Sequence, residues 1–557
     1  MKTITRVGRG LMVLVLAAGL TACQNSNEAK NNAAPNASNG TAATNSDGDL
    51  DYTYGLNKQF HSDTPVTYSM MYNDHPNYPY KKDWLFWSAL EQRTNVQFKL
   101  SVTALSEYEN QKALLINSGD APYIIPKTYD DSAFVAGGQI VPISDWVQYM
   151  PNYMDTVKNW HMEDDLKAKM KEDGKYYSLP GMWENSGGGY SFVIRRDVFK
   201  AAGVDLTNEG KWTYDDFYDA LKKVKAYTGA KYVISDQYTG KSILSLIATQ
   251  FGATAGWGMG TGVRFDEDKK QFYFPDDTNE FKDFVTYLNK LVKEGLVDPE
   301  SFTQDGEVAN NKFYKGDTYA ISGNYQFLAD AGNKMQVKGA DLYMIVQPGG
   351  PKGKLRVENS RLENGVMISQ NALDELGKDK FIKMLRFIDW LWYSDEGHTF
   401  AAWGEEGKTY TKDASGNFVM NKDISFNGIN ADTATKQLNA DFGFANGVFS
   451  YGGSAKLRFS RMTEGEKDFW KRIEENTVPQ KLAPPIMASS DEAEEMNLIS
   501  KPLVDYINTM TLKFITGQED IETSWDSYVA QVKEMGADRY VDSVNQIFER
   551  TKDVLGY

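Results

Sequence analysis

The stretch DGKYYSLPGMWENSGGGYSFVIRRDVF, residues 173–199, constrains the fold most, because one structural pattern ends in it and another begins. It opens with a turn signal at Asp173 and Gly174, between a polar helical segment and a short apolar run. Pro180 and Gly181 lead through Trp183, Glu184 and Asn185 into three successive glycines, 187–189. Out of the glycines comes 190–194, rich in aromatic and β-branched residues and read as a strand. A helix is predicted from Asp197, with that residue as its N-cap. The residues before this stretch read as one α/β unit and many of those after it as a second, so it is the expected crossing between two lobes. At 557 residues the chain is too long for one core and long enough for two.

Residues 66–72 form an extended run behind Pro65, and a loop to 83 then holds His75, Asn77, Tyr78 and Tyr80. A helix at 84–93 and a strand at 96–102 complete a β-loop-helix-β unit, the opening of a parallel sheet. Another helix, 108–118, ends at Gly119, and the short strand 123–125 delivers Lys127, Thr128 and Tyr129 to a loop. Ligands of open α/β sheets gather at the carboxyl ends of strands, so such loops matter. Beyond the crossing, helices are predicted at 213–227, capped by Thr213, at 241–251 and at 279–294, with a hairpin at 263–274. Strands come next at 319–322, 342–347 and 363–369, then a nearly all-apolar helix at 381–393 and a mostly helical remainder. The expected class is α/β, two-lobed, with a helical C-terminal region.

The N-terminus carries a basic cluster (Lys2, Arg6, Arg9) and an apolar run at 11–20 too short to span a bilayer. Leu20-Thr21-Ala22-Cys23 matches the bacterial lipobox residue for residue. That match implies a signal peptide over 1–22, cleavage before Cys23 and diacylglycerol on its thiol, where two acyl chains suffice for stable anchoring. The alternative is an ordinary secretory signal with Cys23 merely near the cut. From 24 to about 48 the composition falls to Asn, Ala, Ser, Thr and Gly, which cannot bury enough to order itself. A flexible tether is expected over 23–60, its low-complexity part spanning about 25–30 Å. Cys23 is the only cysteine, so there is no disulfide framework and no thiolate metal site. A net charge of −16 argues against nucleic acid and against loose adhesion to anionic lipid.

The segments ALEQRTNVQF (89–98), INSGDAPYII (116–125), DGKYYSLP (173–180), FVIRRDVFKAAGVD (192–205), LVKEGLVDPESFTQD (291–305), WGEEGKTY (403–410) and the tail 525–550 are specific in their order and spacing. Through them the chain resembles family 1 extracellular solute-binding proteins of bacterial ABC importers, in the large lipoprotein branch, over nearly the whole mature length. The resemblance implies two α/β lobes with a second return near 363–369. The first lobe would then comprise 61–192 with 363–410, and the second 193–362 with 411–557. It also implies a monomer, without cofactor, that captures a small molecule between its lobes and delivers it to a membrane permease. In this branch the ligand is mostly an oligosaccharide.

A sugar ring has an apolar face and a rim of hydroxyls, so it needs an aromatic platform with amides or carboxylates beside it. Loops at the expected strand ends supply such pairs: Tyr72 with Asn73 and Asp74; Tyr129; Trp183 with Glu184 and Asn185; Trp257; Asn324 with Tyr325; and Trp403 with Glu405. Trp183 is expected to stack on the ligand, with Glu184 or Asn185 bonding a hydroxyl. For each ring a packing role competes on equal terms, and for Trp84, Trp87, Trp390 and Trp392, inside helices, packing is favoured. Arg195 and Arg196 at a strand end are expected to be solvated or paired with nearby acids rather than to hold a carboxylated ligand.

Enzyme chemistry is poorly supported. The four histidines are scattered, without HExxH or clustered spacing. The glycine-rich 256–262 lacks the Lys-Ser/Thr of a phosphate cradle and is read as a loop permitting close backbone approach. Asp266 with Asp268, and Asp276 with Asp277, lack the calcium-loop pattern, so no metal is expected. The adjacent Glu405 and Glu406 keep a surface glycosidase open as an alternative. An oligopeptide receptor of an ABC importer is the other.

Overall fold

The computed structural model describes residues 52–557, apart from 77, 188 and 357–359. The signal segment, Cys23 and most of the expected tether therefore lie outside the described residues. The tether's expected end needs shortening: Tyr52–Thr53 pairs antiparallel with His61–Ser62, and Phe60 is wholly buried 5.7 Å from the Phe387 ring. The aromatics at 52, 54 and 60 supply the apolar area that the Asn/Ala/Ser run lacks.

Eight strands position the site: β1 (Val66–Asp74), β2 (Val96–Ala104), β3 (Ile124–Thr128), β4 (Ser178–Met182), β5 (Ser191–Arg195), β6 (Ala320–Gly323), β7 (Leu342–Met344) and β8 (Leu362–Ile368). The first sheet has the order β2-β1-β3-β8-β4. β1 and β2 run parallel from Val66 opposite Val96 to Asp74 opposite Ala104, joined by the helix Leu85–Thr94. β8 enters antiparallel between β3 and β4. The second sheet has β5 in the middle, antiparallel to β6 and β7.

Each sheet is covered on both faces, as the alternation of a strand requires. In β1, Tyr68, Met70 and Tyr72 enter the main first-lobe core, while Met71 turns to a smaller core with Tyr108 and Ile116. In β5, Phe192 and Ile194 face one core of the second lobe, and Val193 packs on the other side with Phe469 and Trp470. The C-terminal helices Ser490–Thr516 and Ile521–Glu534 complete the larger of these cores through Phe514, Ile515, Trp525 and Tyr528.

β4 and β5 belong to different sheets, so the first crossing is 183–190. The second runs from the end of β7 to β8. A third lies near 458–461, between Leu457 of the first-lobe core and Met462 of the second. This corrects the expected assignment of 411–453 to the second lobe. Met420, Leu438, Phe444, Phe449 and Tyr451 fill the first-lobe core instead, with Phe449 stacked 4.4 Å from Phe86. The helix after β5 also differs at its start. It spans Arg196–Ala201, and the Asp197 carboxylate, rather than capping it, accepts from Nε and Nη2 of Arg195 at 2.9 and 2.6 Å.

Candidate functional site

A cleft of about 1660 Å³ lies between the lobes. Its first-lobe wall comprises His75 and Tyr78 just past β1, Tyr129 just past β3, and Glu363 of β8. These loops sit at the carboxyl ends of parallel strands, where open α/β sheets place their ligands. The second-lobe wall comprises Tyr190, Gln237, Tyr238 and Trp257, with side chains from the helices Gly306–Lys315 and Tyr325–Lys334. A smaller gap of about 240 Å³, between 326–333 and 425–439, is below the roughly 300 Å³ at which ligand pockets begin.

The walls are built rigidly. His75 stacks on Tyr78 at 4.6 Å, and the Tyr78 hydroxyl accepts from the Gly447 N–H at 3.3 Å. Tyr129 stands 63% exposed, with the Lys127 ammonium 5.5 Å from its ring centroid. Opposite, Tyr190 meets Trp257 edge-on at 5.4 Å and Tyr238 lies against it at 4.9 Å, both Trp257 and Tyr238 being 46% exposed. Trp257 is set by its glycine neighbour. Gly256 has φ +57°, and a Cβ there would fall 2.1 Å from the Lys241 carbonyl oxygen, which is the close backbone approach expected of 256–262.

Tyr238 and Thr239 hold left-handed φ values of 56° and 52°, uncommon for such residues and sustained only by their surroundings. The buried Asp236 carboxylate supplies part of that support, accepting from the Ser322 and Ile243 N–H groups at 2.8 and 3.2 Å. Burial pushes its pKa up to about 6. Around the cleft, burial and then the Lys127 ammonium lower His75, while burial and the Asp330 carboxylate push the Tyr314 hydroxyl up to about 12.

Of the twelve expected ligand residues, the cleft brings together Tyr129, Trp257 and Asn324. Asn324 also caps its helix, its Oδ1 accepting from the Phe327 N–H at 2.9 Å. The other nine lie elsewhere, which corrects the expectation for each. Tyr72 is wholly buried among Tyr80, Trp84, Trp87 and Phe449, and Asn73 is buried beside it. Asp74 accepts from the Tyr80 N–H at 2.8 Å. Trp183 bonds Glu363 and lies under Arg458, lining a separate pocket. Glu184 accepts from the Ala455 N–H, and the Asn185 carbonyl from Arg458. Tyr325 packs on Phe469. Trp403 is buried and stacked on Phe418 at 5.0 Å, and Glu405 pairs with Arg93 at 2.8 Å. Arg195 and Arg196 are paired with Asp197 and Asp341, as strand-end arginines beside acids should be.

Sequence reasoning misses Tyr190, Tyr238 and the helix-borne Asn310, Asn311 and Tyr314. Tyr190 reads only as the start of a strand, and the polar face 307–314 has no pattern separating a cleft wall from a solvated surface. No group of three or more His, Cys, Asp or Glu able to hold a metal occurs among the described residues.

A chain of two lobes, each built around its own main sheet, with an aromatic cleft between them is a binding-protein architecture, and the comparisons agree. Residues 87–385 match the family described as bacterial extracellular solute-binding protein, and the chain belongs to it. Membership places it among binding proteins, not enzymes. It is 23% identical over 489 residues to the fructooligosaccharide ABC transporter substrate-binding protein FusA of Streptococcus pneumoniae serotype 4, spanning 82% of this chain and 85% of that one. To lipoprotein LipO of Bacillus subtilis strain 168 it is 21% identical over 482 residues, spanning 83% and 88%. Among solved structures it is similar to the alginate-binding protein AlgQ2, with a TM-score of 0.67 and 17% identity over 88% of this chain and 99% of that chain. FusA in complex with kestose gives a TM-score of 0.62 and 18% identity, over 87% and 99%. These structural likenesses establish the two-lobed fold.

Proposed function

We propose that this protein is the lipid-anchored substrate-binding component of an ABC importer, capturing an oligosaccharide in the inter-lobe cleft and handing it to a membrane permease. The observation that carries the reading is the pair of aromatic walls lining one cleft, Tyr129 on one lobe and Trp257 with Tyr238 on the other, with amides on the second wall. Large rings left exposed in a concave site are a ready platform for a sugar face, and Asn324, Asn310 and Gln237 supply partners for its hydroxyls. At about 1660 Å³ the cleft exceeds the roughly 300–1,000 Å³ typical of small-ligand sites, which favours an oligomeric ligand. Closure is expected because only a closed state lets both walls contact one ligand, and three crossings supply the hinge. Tyr129, Trp257 and Asn324 are the proposed contacts, and Cys23 the proposed lipid attachment. The fructooligosaccharide relative supports the ligand class, and the lipoprotein relative supports the anchor.

A glycan and peptide panel read by thermal shift tests this. A ligand at a hundred times its dissociation constant stabilises by about 2.7 kcal/mol, a clear upward shift in Tm. Shifts with oligosaccharides support the reading; shifts with peptides alone refute it.

A further inference from the structure

We infer that the cleft selects uncharged saccharides and turns away chains bearing uronic-acid carboxylates, a step that rests on the saccharide reading above. Three carboxylates line the cavity: Glu363 on the first-lobe wall, Glu307 and Asp330 on the second. One ammonium stands among them, Lys334, a single helical turn from Asp330 and partly offsetting it. No arginine lines the cleft among the described residues. The remaining basic side chain of the lining, His75, is kept toward its neutral form by burial and by the neighbouring Lys127. Lys127 is outside that lining, over the Tyr129 ring, where burial lowers its pKa and the Glu363 carboxylate answers its charge.

That inventory suits hydroxyls and not carboxylates. An ionised carboxylate accepts strong, charge-assisted bonds from sugar hydroxyls, and Glu363 is fixed for this by the bond from the Trp183 indole at 2.9 Å. A uronate, by contrast, needs cations, best supplied by the fork of a guanidinium. Here it would meet three carboxylates, two of them partly offset by Lys334 and Lys127, and so an excess of negative charge in a site that closure dries, where Coulomb repulsion is least screened. The chain's overall charge of −16 opposes an anionic ligand during approach as well. Selection of neutral chains therefore departs from what the fold likeness to an alginate-binding protein alone would suggest.

Calorimetry on the full chain in detergent tests it, with neutral fructo- and malto-oligosaccharides against alginate oligouronates of matched length, at low and high salt. The expected result is that a neutral series binds at least about tenfold more tightly than any oligouronate, and that the double substitution D330N/E307Q narrows the gap about tenfold. Oligouronates bound as tightly as neutral chains, or a gap unmoved by D330N/E307Q, would overturn charge selection while leaving the saccharide reading intact. Binding of peptides and of no saccharide would instead overturn the saccharide reading, and charge selection with it.

Discussion

Trp183 donates its indole N–H to the Glu363 carboxylate at 2.9 Å, joining the first crossing to the strand in which the second one ends. The third crossing closes over the same ring. The Arg458 guanidinium lies 4.5 Å from the Trp183 centroid and 4.4 Å from that of Trp470 in the second lobe. Three crossings thus meet at one indole that is only 9% exposed. Trp183 sits where the crossings of the proposed hinge meet, outside the lining of the cleft.

Trp183→Ala should therefore act on stability first. Emptying a buried aromatic site costs about 3–5 kcal/mol, and the lost guanidinium stacking adds about 0.5–2 kcal/mol. The apo protein should melt several degrees lower, and Trp183→Phe should recover part of that loss. Thermal denaturation checks this; an unchanged apo Tm would remove Trp183 from the hinge.

Gly256→Ala should reach the ligand through its neighbour. The new methyl meets the Lys241 carbonyl at 2.1 Å in a left-handed backbone, so the loop must shift and carry Trp257 with it. Affinity should fall at least about tenfold. Gly260→Ala is the control: its φ is also positive, but a Cβ there has nothing within 4 Å. With ψ at −125° its backbone is strained for any L side chain, so the change should cost about 1–3 kcal/mol of stability while leaving affinity near that of the parent. Equal affinity losses in the two variants would contradict this positioning of Trp257.

The pH dependence of stability has a definite sign. Burial raises Asp276 and Glu466 to about 7, against the opposing bonds from Thr254 and charges of Arg461 and Arg458. A raised carboxyl stabilises the fold when protonated, fully so below its unfolded value, and that contribution is lost as pH rises through about 7. Buried His398, lowered to about 4, works the other way, but only below its ordinary 6.5. Lys354, lowered by burial to about 8, has mostly finished titrating by about pH 7.5. Between about pH 7.5 and 6.5 the apo Tm should rise as pH falls, and Asp276→Asn should flatten the rise. A Tm that falls over that interval would reverse the assignment.

Cys23→Ser should abolish lipidation and release the protein from membranes into the soluble fraction. Fractionation and then immunoblotting read the outcome. A variant that pellets as firmly as the parent would show the lipobox reading to be wrong.

The fold is legible where local signals are strong and agree. The helix Tyr108–Ser118 ends at left-handed Gly119, and Thr213 and Asp216 form a full capping box on Tyr214–Thr228, both at the positions their residues announce. Asp197 fails as a cap because a bidentate arginine next to it competes for the carboxylate. The site is less legible. Tyr72 and Tyr129 both sit at strand ends beside polar residues, yet one is core and the other exposed. A signal does exist: Tyr72 shares a face with Tyr68 and Met70, a period-two apolar row that marks burial. No comparable signal separates 411–453 from the second lobe. Its place depends on Phe444 and Phe449 meeting Phe86, more than three hundred residues away in sequence.

In the proposed complex, Tyr129 and Trp257 grip one saccharide from opposite walls. Calorimetric titration of the best oligosaccharide from the panel into the parent and into Trp257→Ala and Tyr129→Ala tests this most directly. Tyr129 is 63% and Trp257 46% exposed, so each variant should lose only a few degrees of apo Tm at most, yet each should bind at least about tenfold more weakly. Parental affinity in both variants, at unchanged stability, would show that the ligand does not lie between these walls.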